Sequence, residues 1–141
     1  MEINRITGII VDAAYHIHEE AGPGLLESVY QHILAAELAE RGLQVEIQKP
    51  IPILYKGLEF EIGFRADMIV ANMVIVEIKS VEQIHPVHKK QLLTYLRLTD
   101  KRLGLMINFN VELIKDGISR VVNDLREEKH FSRQGAKAQS S

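Results

Sequence analysis

The chain contains no cysteine. Disulfides, thiolate zinc sites and cysteine nucleophiles are therefore excluded, and the absence is compatible with a reducing, cytoplasmic setting. No apolar run approaches the ~20 residues needed to cross a bilayer, so no membrane partner is expected. The amino terminus lacks the basic, long-apolar and small-residue succession of a secretory signal. A Gly-rich phosphate loop is missing too, since Gly22-Pro23-Gly24 matches none. There is no internal repeat and no interior linker. Positive charge is not in excess either, the formal net charge being −2. A dedicated nucleic-acid coat or clamp carries a strong basic excess, so any such contact here must use a local patch. Lys89, Lys90, Arg97, Lys101 and Arg102 offer the best one; read blandly, they are a solvated helix face and turn.

What is present suits one globular domain. The 141 residues are 46% hydrophobic and 26% charged, which is ordinary for a soluble fold. Ile6, Ile10, Ala13 (or Ala14) and Ile17 recur at helical spacing across Asn4 to Glu20. Ala21-Gly22-Pro23-Gly24 stops that helix. A second is expected from Leu25 to Arg41, capped by Gly42, with an apolar arc of Leu26, Val29, Tyr30, Ile33 and Leu34. Glu37 falls close to the middle of that arc without an evident reason.

After Gly42 the period changes. Val45 to Tyr55 reads as an edge strand carrying Pro50 and Pro52. Lys56-Gly57 is a hairpin turn into Leu58 to Ile62. Arg65 to Val70 and Met73 to Lys79 form two further strands, joined through Ala71-Asn72. Pro86 opens a helix to about Leu98, Leu103 to Phe109 returns as a strand, and Gly117 to Val122 adds another. This order predicts a mixed α/β domain over residues 1–125, a sheet covered by helices. A polar tail, 126–141, is expected to fray.

The chemistry concentrates at Asp67 and at Glu77-Ile78-Lys79. Met73 to Ile78 looks like a buried strand, and charges at its end are costly unless they pair, meet water or bind an ion. Alternation puts Glu77 and Lys79 on one face, and sets Arg65 and Asp67 opposite Ala66, Met68 and Val70. If the two strands pair through Ala71-Asn72, Asp67 and Glu77 approach each other. With the Ile78 carbonyl they could hold magnesium, which accepts oxygen ligands and retains waters. Lys79 could then stabilise developing phosphorane charge or orient and deprotonate a water. Spacing alone leaves this reading level with a structural ion-pair cluster. Gln91 and Tyr95, one helical turn apart on a shared face, favour the site, because their polar ends could hold the lysine, a water or a phosphate.

Asp67, Glu77-Ile78-Lys79 and Gln91-Leu92-Leu93-Thr94-Tyr95 together resemble the PD-(D/E)xK nuclease superfamily, in its RecB-like branch with a Q-x-x-x-Y helix. Gly24-Leu25-Leu26-Glu27-Ser28-Val29-Tyr30 is similar to the motif that names the GxxExxY family. Arg65-Ala66-Asp67 and Gly104-Leu105-Met106-Ile107-Asn108-Phe109-Asn110 extend the likeness to about Ile3 through Val122. The resemblance implies a restriction-endonuclease-like core, with a mixed central β-sheet flanked by helices. It also implies that Glu27 joins Asp67 and Glu77 around Mg2+ or Mn2+. One departure is Ala66, which stands where the superfamily's name has proline.

The expected function is metal-dependent hydrolysis of nucleic-acid phosphodiesters, DNA more than RNA. Glu27, Asp67, Glu77, Lys79, Gln91 and Tyr95 would be catalytic, and Glu27, Asp67, Glu77 and the Ile78 carbonyl would bind metal. Lys89, Lys90 and Arg97 would contact nucleic acid, and a homodimer or larger complex would supply the recognition surface. The alternative is an inactive nucleic-acid-binding or regulatory module that kept the fold. Tyr30 reads as core. His16 and His18, two apart on a helix, read as structural, and His85 and His88 as surface residues beside Lys89 and Lys90. Asn108 and Asn110 are either turn formers or cleft-lining groups.

Overall fold

A computed structural model describes residues 1–124, so the expected tail, 126–141, lies outside the described residues. Helix α1 spans Ile3–Ala21 and buries Ile6, Ile10, Ala13, Ala14 and Ile17 along one stripe. Helix α2 spans Glu27–Glu40. Its last turn closes through Gly42 at φ 92°, with Gly42 N–H on Ala39 O and Leu43 N–H on Leu38 O, both 3.0 Å. This is the left-handed glycine ending expected from the sequence.

The buried face of α2 differs from the expected arc. Tyr30, Gln31, Leu34 and Leu38 point inward, whereas Leu26, Val29 and Ile33 remain exposed. Tyr30 sets the rotation. Its ring stacks on Phe109 with centroids 4.3 Å apart, and its hydroxyl donates to Gly22 O at 2.5 Å and accepts from Leu25 N–H at 3.2 Å. Glu37 thereby leaves the centre of the apolar face and pairs with Arg41 at 3.0 Å, which also holds Asp12 at 2.7 Å.

Strand β1, Val45–Tyr55, turns through Lys56 and Gly57, both at positive φ, into β2, Leu58–Val70. The two strands expected over 58–62 and 65–70 are thus one. Its register against β1 slips between the Ile51–Phe64 and Ile53–Phe60 pairs, so an irregularity replaces the expected break. Ala71 and Asn72, at φ 54° and 55°, turn the chain into β3, Val74–Lys79. Helix α3, Pro86–Thr99, crosses over to β4, Leu103–Asn108, which runs parallel to β3. A 3-10 turn, Ile114–Gly117, leads to β5, Ile118–Val122, antiparallel to β4.

Among the described residues the sheet has five strands in the order β1-β2-β3-β4-β5. The helices α1 and α2 pack on one face through Ile10, Leu34, Met68, Val76 and Leu105. Helix α3 covers the other through Leu92 and Leu96, against Ile51, Ala66, Ile75 and Met106. Gly104 permits that approach, since a Cβ there would lie 3.0 Å from the Leu92 side chain. The fold is the expected mixed α/β sheet flanked by helices. Its distal hairpin extends beyond this cover: Tyr55, Leu58 and Phe60 are each more than half exposed. No described helix is long and apolar enough to cross a membrane.

Candidate active site

The site forms where β2 parts from β3. Those strands pair only from Met68 opposite Val76 to Val70 opposite Val74. One residue further on, each acidic side chain takes up a backbone donor of the other strand. Asp67 N–H donates to Glu77 Oε2 at 3.1 Å, and Ile78 N–H donates to Asp67 Oδ2 at 2.9 Å. The expected alternation fails here. Met68 and Val70 pack on the α1–α2 side, but Ala66 packs with Ile69 on the α3 side.

Glu77 is only 8% exposed. Burial and the neighbouring Asp67 carboxylate push its carboxyl up to about 8, against the weaker pull of the Asp67 amide and Lys79. Asp67 is raised as well, first by burial and further by Glu27, while the Ile78 amide, Lys79 and Gln48 oppose the shift. A buried and a half-buried carboxyl group in contact cannot both ionise cheaply, so the pair calls for a proton or a cation. Lys79 is half-buried beside them. Among the described residues it makes no ion pair within 4.0 Å; the pairs there are His16–Glu20, Arg41 with Asp12 and Glu37, and Lys49–Glu46. The triad is therefore not a closed ion-pair cluster.

Glu27 stands at the start of α2, where its Oε2 accepts from Ser80 N–H at 3.2 Å. The Ser80 hydroxyl in turn donates to Leu25 O at 2.6 Å. A cleft of about 540 Å³ opens here, with Gly24, Glu27, Ser28, Ser80 and Asn110 on its walls. Glu27 thus lies at the end of β3, near enough to Asp67 to raise its carboxyl. Yet among the described residues no three His, Cys, Asp or Glu side chains converge as a ready metal cage. The donors present are carboxylate oxygens without nitrogen or sulfur. That set fits a hard divalent ion held by one or two carboxylates and retaining most of its water, not a caged one.

From the far side, α3 contributes Gln91 and Tyr95. The Tyr95 ring stacks on Phe64 at 3.8 Å. Burial, then Glu77 and Asp67, raise its hydroxyl, which is hydrogen-bonded to Gln91. His88 opens the same helix, its Nδ1 accepting from His85 N–H at 3.2 Å. Burial and Lys79 lower its imidazole. Lys89 and Lys90 are exposed on α3. Lys101 belongs elsewhere, because its Nζ donates to Asn72 O at 3.1 Å and ties down the β2–β3 turn.

Sequence reasoning missed two residues. Gln48 Nε2 donates to Asp67 Oδ1 at 3.3 Å and to Gln31 Oε1 at 2.8 Å. The one available signal was Gln31, a polar residue next to Tyr30 and one turn from Glu27. Asn108, left open above, is a turn former. Its Oδ1 accepts from Val81 N–H at 3.1 Å and from Asn110 N–H at 3.2 Å, and its Nδ2 donates to Val81 O at 2.9 Å. His18 is structural, bonded to Val111 O at 2.8 Å.

A profile described as the PD-(D/E)XK nuclease superfamily matches residues 4–121. The chain belongs to that superfamily, and its mixed five-stranded sheet agrees with the restriction-endonuclease-like fold. No curated protein and no solved structure matches.

Proposed function

We propose that this chain is a metal-dependent nuclease that hydrolyses phosphodiester bonds of nucleic acid, DNA rather than RNA. The supporting observation is the crossed pair at the parting of β2 and β3: two raised carboxyls, each bonded to an amide of the other's strand, with Lys79 beside them. Gly24-Leu25-Leu26-Glu27-Ser28-Val29-Tyr30 and the Gln91–Tyr95 helix support the finer assignment to the GxxExxY family and the RecB-like branch.

Asp67 and Glu77 would hold Mg2+ or Mn2+, with the Ile78 carbonyl as a third oxygen and Glu27 acting directly or through water. Such an ion supplies Lewis acidity toward phosphate and lowers the pKa of water. Lys79 would face the charge that develops on the phosphoryl oxygens. Gln91 would hold the Tyr95 hydroxyl toward the carboxylates, and Lys89, Lys90 and Arg97 would meet the flanking phosphates. The domain would occupy residues 1–125 and work in a reducing, cytoplasmic setting.

A homodimer would widen a recognition surface that one small domain cannot supply. Directly opposed residues share a sheet face, so Ile53, Tyr55, Leu58 and Phe60 form one apolar hairpin face beyond the register slip. Pairing two such faces would bury on the order of 1,000 Å², the low end for a specific interface. Pro50 and Pro52 disfavour edge-to-edge pairing of β1.

The test is cleavage of labelled single- and double-stranded DNA and RNA with Mg2+ or Mn2+, by wild type and Lys79→Ala. Metal-dependent cleavage by wild type, lost in the variant, is expected; binding without cleavage under every condition overturns the enzymatic reading. That outcome would favour an inactive binding or regulatory module, a reading to which the net charge of −2 lends some support.

A further inference from the structure

Gln31 is an unusual occupant of its position. It is 5% exposed, on the helix face that otherwise buries Tyr30, Leu34 and Leu38. A primary amide is costly there unless it is hydrogen-bonded, and its Oε1 accepts from Gln48 Nε2 at 2.8 Å. Gln48 is unusual in another way. It lies within β1 but has φ 51°, a left-handed conformation disfavoured for any residue with a Cβ. The register runs Ile47 opposite Met68 and Lys49 opposite Ala66, which sets Gln48 across from Asp67. The same Nε2 reaches Asp67 Oδ1 at 3.3 Å.

The chemistry of the three groups fixes their order. A carboxylate only accepts hydrogen bonds, so Gln48 must offer Asp67 its NH2 end. The second hydrogen on that nitrogen needs an acceptor, and Gln31 Oε1 supplies it. Asp67 is then gripped from two sides, Oδ1 by Gln48 and Oδ2 by the Ile78 amide. Gln31 lies one turn beyond Glu27 on the same helix, and Glu27 is latched to Ser80 at the end of β3. Helix α2 is therefore tied to the site twice, at β3 through Glu27 and at Asp67 through Gln31 and Gln48.

We infer that Gln31 and Gln48 are positioning residues, an amide relay running from buried Gln31 to exposed Gln48 that fixes the Asp67 carboxylate for its ligand and sets its place relative to Glu27. The inference rests on the proposed divalent-ion site, and it takes up two residues for which that proposal has no role. Residues that orient metal ligands typically contribute about 10- to 100-fold in affinity.

The experiment uses the full chain as wild type, Gln31→Met and Gln31→Glu. Methionine keeps the volume and removes the acceptor, whereas glutamate keeps an oxygen facing Gln48. Two quantities are read: the Mn2+ dissociation constant, and the side-chain NH2 resonances of Gln48 in nitrogen-edited NMR spectra without metal. The relay predicts dispersed Gln48 NH2 signals in wild type and Gln31→Glu that collapse toward free-amide positions in Gln31→Met. It also predicts Mn2+ binding about ten-fold weaker in Gln31→Met than in Gln31→Glu. Unchanged Gln48 signals in Gln31→Met would overturn the relay, as would an unchanged dissociation constant. A wild type that binds no Mn2+ would instead overturn the metal site, and the metal-free spectra would still decide whether the amides form the relay.

Discussion

Asp67 and Glu77 are cross-linked through each other's strands. The amide of Asp67 donates to the Glu77 carboxylate at 3.1 Å, while the Asp67 carboxylate accepts from the amide of Ile78, the neighbour of Glu77, at 2.9 Å. Side chains thus satisfy backbone groups that lose their ladder partners where β2 leaves β3. The same bonds hold a half-buried acid against a buried one, which the fold tolerates only with a proton or a cation present.

The first consequence is a pH dependence of stability. The Glu77 carboxyl titrates at about 8 when folded, against an ordinary 4.5. Between those values the folded chain holds a proton that the unfolded chain has lost, so stability falls as pH rises. The contribution is full below 4.5 and lost as pH passes through about 8. Thermal unfolding in metal-free buffer should give a lower midpoint at pH 9 than at pH 5. Glu77→Gln, which keeps the neutral shape, should remove most of the difference and raise the pH 9 midpoint by several degrees, on the order of 4 °C per kcal/mol for a domain of this size.

Tyr30 connects the core to the loop that leads into Glu27. Its hydroxyl binds Gly22 O and Leu25 N–H, and its ring stacks on Phe109. Tyr30→Phe retains the stack and loses both hydrogen bonds. Urea unfolding should show a loss of about 1 to 2 kcal/mol. An unchanged midpoint would mean that the loop is held by other contacts.

How much of this could be read beforehand differs from element to element. The bounds of β1 were legible because Gly42 and Lys56-Gly57 bracket it with turn chemistry. The acidic pair was legible because charges ending an apolar strand are conspicuous. The buried face of α2 was misread, since Leu26, Val29 and Ile33 are as apolar as the residues that do pack. What selects the face is Tyr30 meeting Phe109 and the Gly22–Leu25 loop, a tertiary contact with no local pattern. Gln48 was invisible for the same reason: nothing in Ile47-Gln48-Lys49 announces a left-handed residue in a strand. Lys101 looked like part of a basic patch, and its partner Asn72 lies 29 positions away.

The basic helix gives a prediction in salt. Lys89 and Lys90 are exposed on α3. If they contact phosphates, replacing both with alanine should weaken DNA binding and shallow the dependence of log K on log salt by roughly 0.7 to 0.9 per lost contact. Fluorescence anisotropy across a salt series measures this. An unchanged slope would remove them from the interface.

The hairpin face gives another. Leu58 and Phe60 are 60% and 51% exposed. Replacing either with glutamate should cost no more than about 0.5 kcal/mol of stability, as for other surface changes. Analytical ultracentrifugation should nevertheless show loss of the dimer. A wild-type chain that sediments as a monomer at high concentration would remove the hairpin pairing.

The central claim is that the crossed carboxylates form a divalent-ion site, and titration calorimetry of Mn2+ into the metal-free chain tests it most directly. The account predicts saturable binding by wild type below millimolar concentration, abolished in Asp67→Asn and in a Glu77→Gln variant that remains folded. Absence of binding by wild type at millimolar Mn2+, or equal binding by all three chains, would contradict it.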